Sequence, residues 1–257
     1  MVFPTPGTLL LVVVLCGILC GLAFLRRILT REGALAAFVV GMIIGVFGDS
    51  SWLLLLILFL GSSFLATRYR FRLKEQLGVQ EGERGERGAS NVLANGVAPC
   101  LAAVLGFSEV GLLPKDLSGL LFVSAIAVAG ADTLASEIGV LSSRTYLITT
   151  MRPVETGRNG GISLLGQGAA AAAAVFTSVV GWLLLAFLPP RFGQAVTLPL
   201  NGWVLFIPLL VGFVGCQLDS LFGATLEERG ILNKKTNNFV STLLGLVLAY
   251  GMYFALF

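Results

Sequence analysis

The chain has 257 residues, 56% of them hydrophobic and only 12% charged, with a net charge of +3. A soluble domain carries about twice that share of charge, so a water-soluble fold is excluded and an integral membrane protein of α-helices is implied. Apolar runs such as residues 9–15 and 53–60 are unbroken, which excludes a β-barrel with its alternating apolar and polar positions. There is no His, and Cys16, Cys20, Cys100 and Cys216 lie inside apolar stretches with no CxxC pair. The common zinc sites, haem attachment and His-based catalysis are thereby excluded, and the cysteines read as small packing residues.

The first apolar segment, residues 8–25, ends in Arg26-Arg27. Nothing basic precedes it and no small-residue cleavage site is evident after it, so it reads as a retained span rather than a signal peptide. Residues 33–47 and 52–66 read as two short spans separated by Gly48-Asp49-Ser50-Ser51, which is turn chemistry. Residues 67–90 form the longest polar stretch. Its first part, with Arg68, Arg70, Arg72 and Lys74, suits a basic interfacial helix, and its Gly/Glu/Arg-rich second part reads as a flexible, solvated loop. Spans four to eight are expected at 91–106, 117–141, 162–188, 203–226 and 239–257, with a polar loop at 142–161. Fifteen of the 17 Lys and Arg fall in the loops after spans one, three, five and seven; only Lys115 and Arg191 fall on the other side. This bias supports an all-α polytopic bundle of about eight spans, basic loops in the cytoplasm and both termini opposite. The chain reads as one membrane domain: three N-terminal spans (1–66), a cytoplasmic loop (67–90) and a five-span core (91–257).

Ionisable residues inside spans are costly and point to function. Span five carries Asp132, Ser136 and Glu137, and span seven carries Asp219 and Ser220. Asp132 and Ser136, four apart, share one helix face. No intramembrane Lys or Arg stands beside these acids in sequence, so a cation is expected as counter-charge, and hard carboxylate oxygens suit Mg²⁺ held with substrate phosphates. A faint internal repeat pairs spans four and five with spans six and seven. Asn91 and Asn95 open the first hairpin and Gln167 the second, and Asp132-Thr133 and Asp219-Ser220 lie on the returns. Three helix starts supply positive charge or amides: Arg84, Arg87 and Asn91; Gly157-Arg158-Asn159-Gly160-Gly161; and Asn233-Lys234-Lys235 with Asn237 and Asn238. Backbone N–H groups with a nearby cation make a phosphate cradle. No Walker or GxGxxG motif is present, so an ordinary nucleotide-binding fold is excluded. Phosphoryl transfer needs positioning, metal and positive charge rather than His.

Several stretches resemble the family of transmembrane protein 19 and phytyl-phosphate kinase. They are Asn91-Val-Leu-Ala-Asn95-Gly96, Ala131-Asp132-Thr133-Leu-Ala-Ser136-Glu137, Gly157-Arg158-Asn159-Gly160-Gly161-Ile-Ser163, Asp219-Ser220-Leu-Phe-Gly223-Ala224-Thr225 and Asn237-Asn238. The resemblance spans nearly the whole chain in order. It implies a kinase that converts an isoprenoid monophosphate, such as phytyl or geranylgeranyl phosphate, to the diphosphate that feeds tocopherol synthesis. CTP or another nucleoside triphosphate would be the donor, with Mg²⁺. Asp132, Glu137 and Asp219 would then hold metal and triphosphate, with Ser136 and Ser220 beside them. Arg158, Asn159 and Gly160 would grip phosphates. Lys234, Lys235, Asn237 and Asn238 would hold nucleotide or acceptor phosphate, and Asn91, Asn95 and Gln167 would orient ligands. The expected partners are the lipid substrate, the nucleotide and membrane lipid, with no nucleic acid; a homodimer is compatible with this reading. The same residues also suit a cytidylyltransferase forming a CDP-lipid, and repeats with intramembrane acids suit an ion-coupled transporter.

Overall fold

A computed structural model describes residues 5–82, 84–107, 112–113, 115–187 and 202–256. In chain order the helices are α1 (Pro6–Leu25), α2 (Arg31–Phe47), α3 (Ser50–Arg68), the short α4 (Phe71–Gln76), α5 (Ala89–Leu105), α6 (Lys115–Gly139), α7 (Leu164–Phe187), α8 (Gly202–Phe222) and α9 (Lys234–Leu256). An apolar helix therefore stands at each of the eight expected positions. By length and composition five can cross a membrane: α1, α6, α7, α8 and α9. The other three, α2, α3 and α5, carry shorter apolar stretches. The end of the expected sixth span at residue 188, Arg191, and the last residue of the eighth span lie outside the described residues.

Local chemistry sets the helix starts. Thr5 accepts from the Thr8 amide at 3.3 Å with Pro6 behind it, and Thr30 accepts from the Gly33 amide at 3.1 Å. Both supply an acceptor for a first-turn N–H that has no intrahelical partner. The break between α2 and α3 falls at the predicted Gly48-Asp49 turn. Trp52 then stacks on Phe122 of α6 with ring centroids 4.4 Å apart, which fastens the N-terminal helices to the core.

The bundle is built around α6. Within its apolar stretch 89% of residues are buried, against 17–39% in the other four long helices. Helices α3, α5, α7, α8 and α9 all pack on it. Small residues permit this: a Cβ at Gly212 or Gly215 of α8 would lie 2.8 or 2.6 Å from the Ala127 and Val128 side chains. Close backbone approach of this kind is how helices associate where lipid removes the hydrophobic drive.

Two polar stretches differ from expectation. Residues 142–161 are not a plain loop: β1 (Thr145–Leu147) pairs antiparallel with β2 (Pro153–Val154) and with β3 (Gly161–Ile162), Tyr146 standing opposite both Pro153 and Ile162. Residues 67–90 are not a solvated linker. Arg70 adopts a left-handed conformation (φ 51°) that ends α3 and turns α4 back on it. Lys74 is thereby fully buried, and its Nζ donates to the Ala66 and Thr67 carbonyls at 2.8 and 3.3 Å. These carbonyls belong to the last turn of α3, where intrahelical donors run out. Further on, the Arg87 amide donates to Ile28 O and the Thr30 amide to Arg87 O, each at 3.1 Å, tying this segment to the α1–α2 turn.

Candidate active site

The candidate residues lie at one end of the bundle: the C-terminal ends of α6 and α8, the N-terminal ends of α5, α7 and α9, and the segment between β2 and β3 that carries Arg158, Asn159 and Gly160. There the helices enclose a polar cavity of about 320 Å³. Asp132, Ser136, Glu137, Gln167, Asp219 and Ser220 line its walls, with Lys234 and Asn238 from the start of α9. The segment from Gly157 to Ile162 and the α4-side residues Val79, Gln80 and Glu81 close over it.

Asp132 and Asp219, on different helices, bring their carboxyl groups within direct reach of each other. Asn238 Nδ2 donates to Asp132 Oδ2 at 3.1 Å, and Ser241 Oγ donates to Asp219 Oδ1 at 2.9 Å. Two adjacent carboxylates repel when both are ionised, and a proton or a cation between them relieves this. The buried Oδ1 of Asn238 has no hydrogen-bond partner among the described residues. Two carboxylates and an unpartnered amide oxygen fit a hard cation, and Mg²⁺ characteristically takes one or two carboxylates and completes its shell with water and phosphate.

Glu137 does not join this pair. Its Oε2 accepts from Lys74 Nζ at 2.7 Å and its Oε1 from Thr67 Oγ1 at 2.7 Å, with Arg87 Nη2 3.7 Å away. Glu137, expected as a metal ligand, has Oε2 in a buried ion pair with Lys74 and Oε1 accepting from the Thr67 hydroxyl. The counter-charge thought to be absent is supplied by Lys74, 63 positions earlier. Among the described residues no cluster of three or more acidic, Cys or His side chains could hold a metal, so any cation relies on the Asp132–Asp219 pair and its amide and hydroxyl neighbours.

The other candidates divide by what already engages them. Arg158 faces the cavity half-exposed and pairs with Glu228 at 3.4 Å. Asn159 and Gly160 also line it. Lys234 Nζ contacts Glu81 Oε2 at 3.3 Å, and Lys235 lines a smaller adjoining chamber with Arg87, Asn91 and Asn95. Burial alone would raise the Glu81 carboxyl, yet Lys234, the Asn91 amide and Arg87 outweigh it and hold the group below its ordinary value. Gln167 Nε2 donates to Gln217 Oε1 at 3.1 Å, and Asn95 Nδ2 to Asn91 O at 3.1 Å. Asn237, fully buried, lines neither space: its Nδ2 donates to Asp219 O at 2.9 Å and Glu227 Oε1 at 2.7 Å. It positions Asp219 and is not available to a ligand through that nitrogen.

Residues 223–227 form a π-helical turn that continues α8. Such turns insert an extra residue and recur at functional sites. Gly160, at φ +71°, packs against it so closely that a Cβ would lie 2.4 Å from Ala224 Cβ and 2.5 Å from Ala224 N. The turn thus seats the glycine-rich segment over the cavity. Ser241, Glu227 and Lys74 escaped the sequence reading. A serine in an apolar helix reads as packing, Glu227 reads as the polar end of a span, and Lys74 belongs to a stretch read as a basic interfacial helix.

An all-α membrane bundle with a buried acid pair and a charge-lined cavity at one end defines a polytopic membrane protein with a preformed polar site. Residues 14–246 match the family described as integral membrane protein DUF92. The chain belongs to this family, which is the transmembrane protein 19 and phytyl-phosphate kinase family that its motifs resemble. It is 32% identical over 253 residues to membrane protein MJ0933 of Methanocaldococcus jannaschii, covering 97% of each chain. It is 31% identical over 231 residues to the chloroplastic protein VTE6 of Arabidopsis thaliana, covering 87% of this chain and 65% of that one. Protein PGR of the same plant is 32% identical over 235 residues, 86% of this chain and 80% of the other. No solved structure matches the chain.

Proposed function

We propose that this protein is a membrane kinase that transfers the terminal phosphoryl group of a nucleoside triphosphate, CTP in the leading reading, to an isoprenoid monophosphate such as phytyl or geranylgeranyl phosphate. The observation that carries it is the meeting of Asp132 and Asp219 in one cavity with Lys234 and Arg158 on its walls. The family, and VTE6 as a relative, support the same substrate class. In this reading the site faces the cytoplasm, where positive-inside bias puts the basic loops.

A phosphate oxygen of the acceptor attacks the γ-phosphorus. A new P–O bond forms, the bond from that phosphorus to the β–γ bridging oxygen breaks, and the nucleoside diphosphate leaves with the bonding electrons. The acceptor phosphate is ionised at neutral pH, so no strong base is required. Asp132 and Asp219 would hold Mg²⁺, which when bound neutralises phosphate charge. Asn238 and Ser241 fix the two carboxylates by hydrogen bonds. Lys234 and Arg158 supply positive charge to the phosphates, and the segment at Gly157–Gly161 excludes water. Preorganised charge of this kind supplies most of the barrier lowering in phosphoryl transfer.

The test uses the purified protein in detergent with Mg²⁺, phytyl or geranylgeranyl monophosphate, and γ-labelled CTP, with ATP, GTP and UTP alongside. Label in a lipid diphosphate is expected. Release of pyrophosphate with a CDP-lipid would replace the kinase with a cytidylyltransferase. No nucleotide consumption by folded protein, with substrate-dependent flux in proteoliposomes, would replace it with a transporter.

A further inference from the structure

We propose that the acceptor lipid enters through a crevice between α2, α3 and α5, with Arg87 anchoring its phosphate. This rests on the kinase reading and adds where the lipid lies. Three spaces adjoin in series. The innermost is the large polar cavity. Next to it, and sharing Glu81, Asp132, Ser136, Glu137, Lys234 and Asn238 with it, is the smaller polar chamber, to which Arg87 and Lys235 contribute. Beyond that, sharing Arg87, Asn91 and Asn95 with the chamber, is an apolar crevice walled by Ala37, Val40, Leu56, Phe59 and Leu60.

The order apolar, then small with Arg87, Lys234 and Lys235 facing Glu81, Asp132 and Glu137, then large and polar follows that of tail, accepting phosphate and triphosphate donor. A phosphate seated by Arg87 and Lys235 would share a wall with Asp132, while its tail would lie along Ala37, Val40, Leu56, Phe59 and Leu60. Arg87 suits the anchoring role on three counts. Its backbone is pinned on both sides by Ile28 and Thr30, so the side chain departs from a fixed point. Its side chain is 14% exposed. Its buried Nε has no partner among the described residues, and its Nη2 makes one 3.3 Å contact to Thr67 and lies 3.7 Å from Glu137. A buried donor without an acceptor is costly, and a phosphate oxygen is the acceptor that a planar guanidinium fits best. Asn95, nine-tenths buried at the same junction, also keeps an unpartnered Oδ1.

The experiment is photolabelling of the full-length protein in detergent by an isoprenyl monophosphate carrying a diazirine at the tail terminus, followed by peptide mapping. Label on α2, α3 or α5, displaced by unmodified isoprenyl monophosphate, is expected. Arg87→Gln should weaken displaceable labelling about tenfold, the scale of one charge-assisted contact, and Arg87→Lys should recover part of it. Since Arg87→Gln could disturb Glu137, Leu60→Trp is run in parallel: narrowing the crevice should raise KM for a long-chain acceptor several-fold more than for a short one and leave the nucleotide KM unchanged. Displaceable label confined to α7, α8 or α9, no displaceable label at all, or equal effects of Leu60→Trp on all chain lengths would overturn the site. Crevice labelling without lipid diphosphate formation from any triphosphate would leave the site standing and remove the kinase reading. Diphosphate formation with label elsewhere would do the reverse.

Discussion

Three acids that the sequence offers as one set fall into two different settings. Glu137 is held by Lys74 and Thr67 in a buried network, whereas Asp132 and Asp219 meet in the cavity. Removing one member of a buried pair leaves an uncompensated charge, so Lys74→Met should destabilise by about 3–5 kcal/mol, seen as a lower Tm in detergent. The double variant Lys74→Met with Glu137→Leu should recover much of that loss. Asp132→Asn and Asp219→Asn should behave oppositely, keeping Tm while lowering kinase turnover about 100-fold or more. Full activity in either folded variant would remove the site assignment. The acid pair was legible because a carboxylate in an apolar run has few bland explanations. Its distinction from Glu137 was not, because that depends on Lys74 arriving across the left-handed turn at Arg70.

At the scale of elements, the segment over the cavity is seated by one close contact. Gly160→Ala puts a methyl against the Ala224 backbone at a positive φ, which should cost about 1–3 kcal/mol and lift the segment from the π-helical turn. Turnover should fall with it. Gly168→Ala makes the control: that glycine is exposed, helical and has nothing within 4 Å. It should stabilise by about 0.5–1 kcal/mol without loss of activity. A comparison of melting and initial rates for the two variants decides the matter. The helices themselves were legible from hydropathy and turn residues, to within a few positions at most ends. The β1–β2–β3 sheet was not, since strands of two and three residues are too short to show alternation.

At the scale of the molecule, α4 and the chain following it form one wall of the site, joined to α9 by Glu81–Lys234 and to α5 by Glu81–Asn91. The Glu81 carboxyl is held below its ordinary value. A group so lowered contributes fully above its unfolded value, and the contribution is lost as pH falls through the lowered folded value. Limited proteolysis between Gly78 and Gly88 should therefore accelerate on acidification below the ordinary glutamate range. Glu81→Gln should be cut faster at neutral pH and lose most of that acceleration. An unchanged pH profile in Glu81→Gln would show that this contact does not fasten the wall. Composition made the bundle legible at this scale, and the 67–90 stretch misled because its basic residues read as interfacial and solvated when Lys74 among them is fully buried.

The burial of α6 has a further consequence for biogenesis. This helix leaves the ribosome before α7, α8 and α9, three of the helices that later surround it. Until they arrive, Asp132 must be tolerated against lipid or the translocon, at a cost that grows toward the bilayer centre, whereas the partners of Glu137, Lys74 and Thr67, are already made. Assembly must therefore run backwards in part, with the C-terminal half sheltering what was made before it. A nascent chain stopped after α6 should be a ready substrate for membrane quality control. Supplying α7–α9 as a separate polypeptide should rescue it, and the half-life of the N-terminal fragment measures how much shelter each later helix provides.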